Sequence, residues 1–375
     1  MNIGESINLY KTYYCLDCGV CTGSCPVSRV LPTFSPRLIV EKALLQMGDE
    51  LLSDRDLWSC LTCGRCYQRC PTKIDFPEFM RNLREEAIKR GLAPALAHHG
   101  MLQSVMEFQA EGVRQKKTDW AREAGKIADR GEVFYFVGCM PYFDVIFRDI
   151  GVDSLSIGRS VIKILNAAGV TPVVSDQEAC CGHDMLWNGN PETFKKLAAK
   201  NIELIRGSGA KKVVFSCPEG YYTFQHHYPQ YFGELGFEVV HFFDYVQQMI
   251  ADGALKLSDG AGTYTFHDPC RLGRMAKIYD SPRAILGSLA GEGFREMERN
   301  RENAVCCGTT GWANCSSGSK QIQAERIREA RATGARTLVT ACPKCRIHLS
   351  CALTSMEEMD LEVKDLTTLI SESMR

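Results

Sequence analysis

Residues 15–26 read Cys15-Leu16-Asp17-Cys18-Gly19-Val20-Cys21-Thr22-Gly23-Ser24-Cys25-Pro26, and residues 60–71 read Cys60-Leu61-Thr62-Cys63-Gly64-Arg65-Cys66-Tyr67-Gln68-Arg69-Cys70-Pro71. Both follow one spacing, C-x2-C-x2-C-x3-C-P. Three thiolates two residues apart can wrap one cube of iron and sulfide as the backbone turns, while the fourth is carried away by proline's locked φ. The spacing therefore predicts two cubane [4Fe–4S] clusters whose fourth ligands cross over. One set is Cys15, Cys18, Cys21 and Cys70; the other is Cys60, Cys63, Cys66 and Cys25. Paired C-x-x-C motifs also hold zinc. Zinc needs four thiolates in two pairs, whereas each run here brings four in close succession, twice.

The 34 residues between the runs carry helix signals. Ser35 is placed to cap, Pro36 to open the first turn, and Leu38, Ile39, Leu44 and Leu45 to form an apolar face before Gly48. A second helix is predicted over 77–90, ending at Gly91. Residues 92–130 are polar and helix-compatible, and read as a connector packed on the next domain.

A chain of 375 residues exceeds one core, so two or three domains are expected. With 44 basic against 45 acidic residues, no basic field exists to argue for nucleic acid. The outlier is cysteine, at 19 residues. Met1-Asn2-Ile3-Gly4-Glu5 does not open like a secretory leader, and the most apolar stretch, 133–143, is broken by Gly138 and Pro141. The expectation is a cytoplasmic chain, at most peripheral to a membrane complex, whose thiols serve metal rather than disulfides.

From Gly131 the pattern changes to short β-rich runs alternating with helices, and it repeats. Phe134-Tyr135-Phe136-Val137-Gly138-Cys139 corresponds to Tyr264-Thr265-Phe266-His267-Asp268-Pro269-Cys270. Cys180-Cys181-Gly182 corresponds to Cys306-Cys307-Gly308, and Val213–Pro218 to Leu338–Pro343. Cysteines thus close three strand or loop ends in each half, at the edge where α/β folds place ligands. The second half is complete, with Cys270, Cys306, Cys307, Cys342 and Cys345. In the first, Cys139, Cys180, Cys181 and Cys217 match, but Gly220 stands in the fifth place. Four thiolates could hold a cubane, a noncubane cluster completed by another ligand, or nothing. His183, His226 and His227 are candidate extra ligands, and His267 a donor to a cluster or backbone group. Arg271 and Arg274 are candidates for balancing cluster charge or binding an anionic partner. Cys315 and Cys351 remain over and read as buried apolar side chains.

These motifs resemble heterodisulfide reductase. Residues 10–90 are similar to the C subunit of that enzyme, an α-helical ferredoxin. Residues 131–355 are similar to the B subunit, with its C-x(30s)-C-C-G-x(30s)-C-x-x-C signature. The two are fused as in the D subunit of the membrane-associated form. Similar fusions occur in sulfite-reductase-associated complexes and in iron–sulfur subunits of glycolate and glycerol-3-phosphate dehydrogenases. The resemblance implies an α+β multidomain chain: a ferredoxin module over 1–91, a helical connector over 92–130, a degenerate CCG half over 131–260 and a complete one over 261–375. It also implies a noncubane [4Fe–4S] cluster on Cys270, Cys306, Cys307, Cys342 and Cys345, the set that would be catalytic if the chain itself reduces a substrate.

No G-x-G-x-x-G after a strand and no GK[ST] loop is present, so no flavin, nicotinamide or nucleotide site is expected. The leading expectation is an electron-transfer subunit fed by a flavoprotein or iron–sulfur partner, without nucleic acid or membrane insertion. The alternatives are a catalytic disulfide or heterodisulfide reductase, and the iron–sulfur subunit of a flavin dehydrogenase of the glycolate or glycerol-3-phosphate type.

Overall fold

The computed structural model describes residues 2–258, 262–313, 315–356 and 360–375. Met1 and the expected join between the halves at 260/261 lie outside these residues. The chain is α+β: a helical N-terminal module, then two α/β halves of one plan. No helix among the described residues is long and apolar enough to cross a membrane.

In the N-terminal module Ser35 caps the helix Pro36–Leu44, its hydroxyl accepting from the Leu38 amide at 3.3 Å. The second helix runs Phe76–Lys89, one residue earlier at each end than the sequence pattern suggests. The shift has a cause: Asp75, not a later residue, caps it, accepting from the Glu78 amide at 3.3 Å.

Each half builds a three-stranded parallel sheet. Strands β1 (Val133–Phe136), β2 (Lys212–Phe215) and β3 (Glu238–His241) pair in that order, as do β4 (Tyr264–His267), β5 (Thr337–Thr340) and β6 (Glu362–Asp365). Aromatic and β-branched runs suit strands covered on both faces, and the last three residues of β1, β2, β4 and β5 are buried. The cysteines follow the carboxyl ends of these strands: Cys139 after β1, Cys217 after β2, Cys270 after β4 and Cys342 after β5. That edge faces the ferredoxin module.

The connector holds helices Met101–Ala110 and Asp119–Ala124. It touches both halves, since Gln103 donates to the Gly311 carbonyl at 2.9 Å and Gln109 accepts from the Cys180 amide at 2.8 Å. The module itself docks through Arg84. This fully buried guanidinium donates to the carbonyls of Leu57, Trp58 and Cys60 inside the module and of Trp187 in the first half. Gly189 lies against the same helix with φ +86°, where a Cβ would sit 2.5 Å from the Arg84 carbonyl carbon.

Candidate iron–sulfur centres

Two hollows in the ferredoxin module sort its eight thiols. Cys15, Cys18, Cys21 and Cys70 line the first, and Cys25, Cys60, Cys63 and Cys66 the second, with Cys66 also reaching the first. The fourth cysteine of each run is therefore carried across to the other run's hollow. Cys18 keeps the first hollow at the surface, whereas Cys25, Cys60 and Cys63 are buried. The second hollow faces inward, toward the CCG halves. Gly19 and Gly64 adopt positive φ to start the short helices that carry each run's third cysteine.

All nineteen cysteines are free thiols. Burial pushes the Cys60 thiol up to about 12, so the bare group would hold its proton. A buried thiol set of this kind becomes a thiolate set when a cation offsets the desolvation, which suits an iron–sulfur cluster.

In the second half the five thiols form a continuous chain of sulfur contacts. Cys270 meets Cys306, Cys306 meets Cys307, Cys307 meets Cys345, and Cys345 meets Cys342. Gly308 makes the turn at φ +84°, where a Cβ would lie 2.8 Å from the Ser319 carbonyl oxygen. His267, Cys307 and Cys345 bring their ligand atoms within 4.8 Å of one another. The Nδ1 of His267 accepts from Arg326 at 3.1 Å and burial holds its pKa down to about 3, so a neutral ring presents Nε2–H.

The first half is arranged differently. Cys139 and Cys180 approach to 3.3 Å and Cys180 meets Cys181, but Cys217 turns to Cys342 of the other half. At Gly220 a Cβ would meet Phe215 at 3.2 Å and Cys181 at 4.0 Å, so the missing fifth thiol would have faced this set. The two thiol sets thus abut through Cys217 and Cys342.

Buried charges bind the sets together, and most of these the sequence did not announce. Lys344 is ion-paired with Asp184 and, at 2.6 Å, with Glu219 across the two halves. Burial would raise the Asp184 carboxyl, yet Lys344 and His183 hold it below its usual range. His183, Asp184 and Glu219 lie close enough to cradle a cation, and the Lys344 ammonium takes that place. His183 is correspondingly spent: Nδ1 faces Asp184 at 2.8 Å and Nε2 accepts from Arg271 at 3.0 Å, which leaves no nitrogen for iron. His226 is exposed and stacks on Tyr222, and His227 is buried against Trp187.

Arg271 and Arg274 prove to be internal residues, 2% and 5% exposed, rather than part of a solvated face. Arg271 follows Cys270 in a π-helical turn, a geometry frequent at functional sites. It donates to the Thr62 carbonyl at 2.5 Å and the Thr62 hydroxyl at 2.8 Å, and lies 4.3 Å over the Trp187 ring. Thr62 in turn donates its amide to the Cys60 sulfur at 3.3 Å. Arg274 donates to the Cys63 carbonyl at 2.7 Å and the Ala304 carbonyl at 2.6 Å. The Cys63, Cys270 and Cys306 sulfurs raise its pKa against the effect of burial. The expected burial of the two spare cysteines is also corrected: Cys315 is exposed, and Cys351 is half-buried with its sulfur 2.9 Å from the Lys320 ammonium.

Comparison with known proteins matches residues 11–74 to the 4Fe-4S dicluster domain, and residues 133–225 and 264–350 to the cysteine-rich domain CCG. The D subunit of dihydromethanophenazine:CoB–CoM heterodisulfide reductase from Methanosarcina mazei is 29% identical over 307 residues, covering 79% of this chain and 73% of that protein. EtfAB:quinone oxidoreductase of Syntrophomonas wolfei is 29% identical over 68% of this chain, and the probable iron-sulfur-binding oxidoreductase FadF of Bacillus subtilis 32% over 68%. The matched regions span only 38% and 35% of those two longer proteins. A solved structure of a hypothetical protein from Helicobacter pylori shares the fold, with a TM-score of 0.61 at 10% identity over all of this chain and 76% of that one. A dicluster ferredoxin domain followed by two cysteine-rich domains, with the likeness to the Methanosarcina D subunit and to FadF, makes this chain a member of the heterodisulfide reductase-like iron–sulfur oxidoreductase proteins.

Proposed function

We propose that this chain is the electron-transfer subunit of a heterodisulfide reductase-like redox complex. It takes single electrons from a partner flavoprotein or iron–sulfur protein and delivers them to its second CCG half. In this reading Cys15, Cys18, Cys21 and Cys70 hold one cubane [4Fe–4S] cluster, and Cys60, Cys63, Cys66 and Cys25 a second. Cys270, Cys306, Cys307, Cys342 and Cys345 hold a noncubane cluster. When bound, such clusters supply one-electron oxidation and reduction.

The observation that carries the reading is the contact made by Arg271 and Arg274. Both stem from the turn after Cys270, and both end on the backbone around Cys60 and Cys63. They fix the inward thiol set of the ferredoxin module against the second-half set and put positive charge between two groups of thiolates. The surface position of Cys18 supports entry through the outer hollow. Native mass spectrometry of the complex isolated from cells tests the proposal. A flavoprotein or second iron–sulfur chain is expected to be retained, and a fully active monomer would contradict it.

The complete five-thiol set favours a second reading, a disulfide reductase acting at that half. Anaerobic assay of the isolated chain with an artificial donor and disulfide substrates separates the two, since only the second reading expects turnover.

A further inference from the structure

His267 ends β4 opposite Thr340 of β5, so the strand pairing sets it beside the loops that carry Cys270 and Cys342. One of its ring nitrogens and the sulfurs of Cys307 and Cys345 all lie within 4.8 Å of one another. A histidine and two buried cysteines at that spacing look like three ligands of one metal ion. The residue on the other side of the ring decides against that role.

Arg326 is fully buried on the helix Ser317–Ala332, and its Nε donates to His267 Nδ1 at 3.1 Å. The guanidinium is held from behind, since Nη1 donates to the Arg299 carbonyl and to Glu329, each at 2.8 Å. Glu329 is tied in turn to Arg299 at 2.9 Å. A guanidinium has only donors, so Nδ1 must accept and cannot carry the proton. Burial and the Arg326 charge keep the ring neutral. The one ring proton then sits on Nε2, which leaves that nitrogen no lone pair for iron. Among the described residues this N–H has no hydrogen-bond partner, although the side chain is fully buried. An orphaned donor costs stability unless something pairs with it, and the Cys307 and Cys345 sulfurs are the acceptors beside the ring.

We propose that His267 is a hydrogen-bond donor to a sulfur of the second-half cluster, thiolate or sulfide, and that Arg326 is the positioning residue that makes it a donor rather than an iron ligand. The proposal rests on the reading that the five thiols hold an iron–sulfur cluster. Reduction adds negative charge to the sulfurs, so an N–H aimed at them favours the reduced state and raises the midpoint potential. That sign suits the last centre of the proposed wire, which must accept electrons from the others.

Pulsed EPR of the intact, anaerobically prepared chain, with its histidines isotopically labelled at nitrogen, tests this together with redox titration of the same signal. The atypical signal is expected to show a weak histidine nitrogen coupling that disappears in His267→Phe. In that variant its reduction equilibrium should become less favourable by at least about threefold, while the cubane signals keep their potentials. Arg326→Gln should also lower the potential, and by less in a His267→Phe background, where only its charge is lost. A strong coupling typical of a nitrogen bound to iron, no histidine coupling at all, or a coupling and potential unchanged in His267→Phe would each overturn the proposal. The first two outcomes are read on the unmodified chain and do not depend on the variant folding. Equal Arg326→Gln shifts in both backgrounds would overturn the positioning role. Absence of the atypical signal from the unmodified chain would instead defeat the cluster reading, and this proposal with it.

Discussion

Arg271 places its guanidinium almost out of reach of solvent, and three of its five N–H donors are committed to Thr62 and His183, each within two residues of a cysteine. Removing it should therefore act on electrostatics more than on packing alone. In Arg271→Met the positive charge beside the Cys60–Cys66 set is lost, so the reduced, more negative state is less favoured. Its midpoint potential should fall by tens of millivolts or more, with iron content retained, while Arg271→Lys should shift it less. EPR-monitored redox titration checks this, and equal potentials in all three proteins would argue that the contact is only structural. Breaking Lys344 should be harsher. Lys344→Met leaves the Asp184 and Glu219 carboxylates buried without their cation, a loss of roughly 3–5 kcal/mol, which should appear as a large drop in Tm. The grouping of the eight ferredoxin cysteines was legible because each run is local, a few residues of fixed spacing, and the internal repeat marked the cysteines of the two halves. Arg271 drew attention only by its place after Cys270, and Lys344 not at all, because their partners lie 209 and 160 residues away and no local pattern encodes a fold-dependent pairing.

At the scale of elements, the caps and strands follow local chemistry closely. Ser35-Pro36 opens a helix where its side chain and fixed φ suggest, and the paired runs at 133–136 and 264–267 become equivalent strands. The Phe76–Lys89 helix begins a residue early because Asp75 offers the better cap, a competition decided by a hydrogen bond rather than by periodicity. That cap has a pH signature. Burial, together with the Glu78 charge, raises the Asp75 carboxyl from 3.8 to about 6. The folded chain thus binds this proton more tightly than the unfolded chain, and stability declines as pH rises from about 4 to 6. Asparagine caps equally well without ionising. Asp75→Asn should therefore raise Tm at pH 7.5, with the difference vanishing near pH 4; a lower Tm at pH 7.5 would contradict this account. The spare cysteines were misplaced for a related reason: neither lies on a periodic apolar face, so composition alone gave no signal that Lys320 would meet Cys351.

Across the whole molecule, three thiol-bearing units meet at one edge, and the ferredoxin module is the piece that must be docked to align them. Arg84 and Gly189 fasten it to the first half, Arg271 and Arg274 to the second. Gly189→Val adds a β-branched side chain at positive φ against the Arg84 backbone, costing at least about 2 kcal/mol. Limited proteolysis should then cut within 92–130 much faster than in the unmodified chain; an unchanged digestion pattern would show that docking does not depend on this approach. The order of the modules was legible from cysteine spacing, whereas their mutual docking rests on tertiary contacts alone. The central claim, that these thiols hold iron–sulfur wiring ending at the second CCG half, meets its most direct test in anaerobic EPR with iron quantification on the unmodified chain and on Cys345→Ser. Two cubane signals and one atypical signal, the last missing from the variant, are predicted. An identical spectrum from the variant, or colourless zinc-loaded protein, would contradict it.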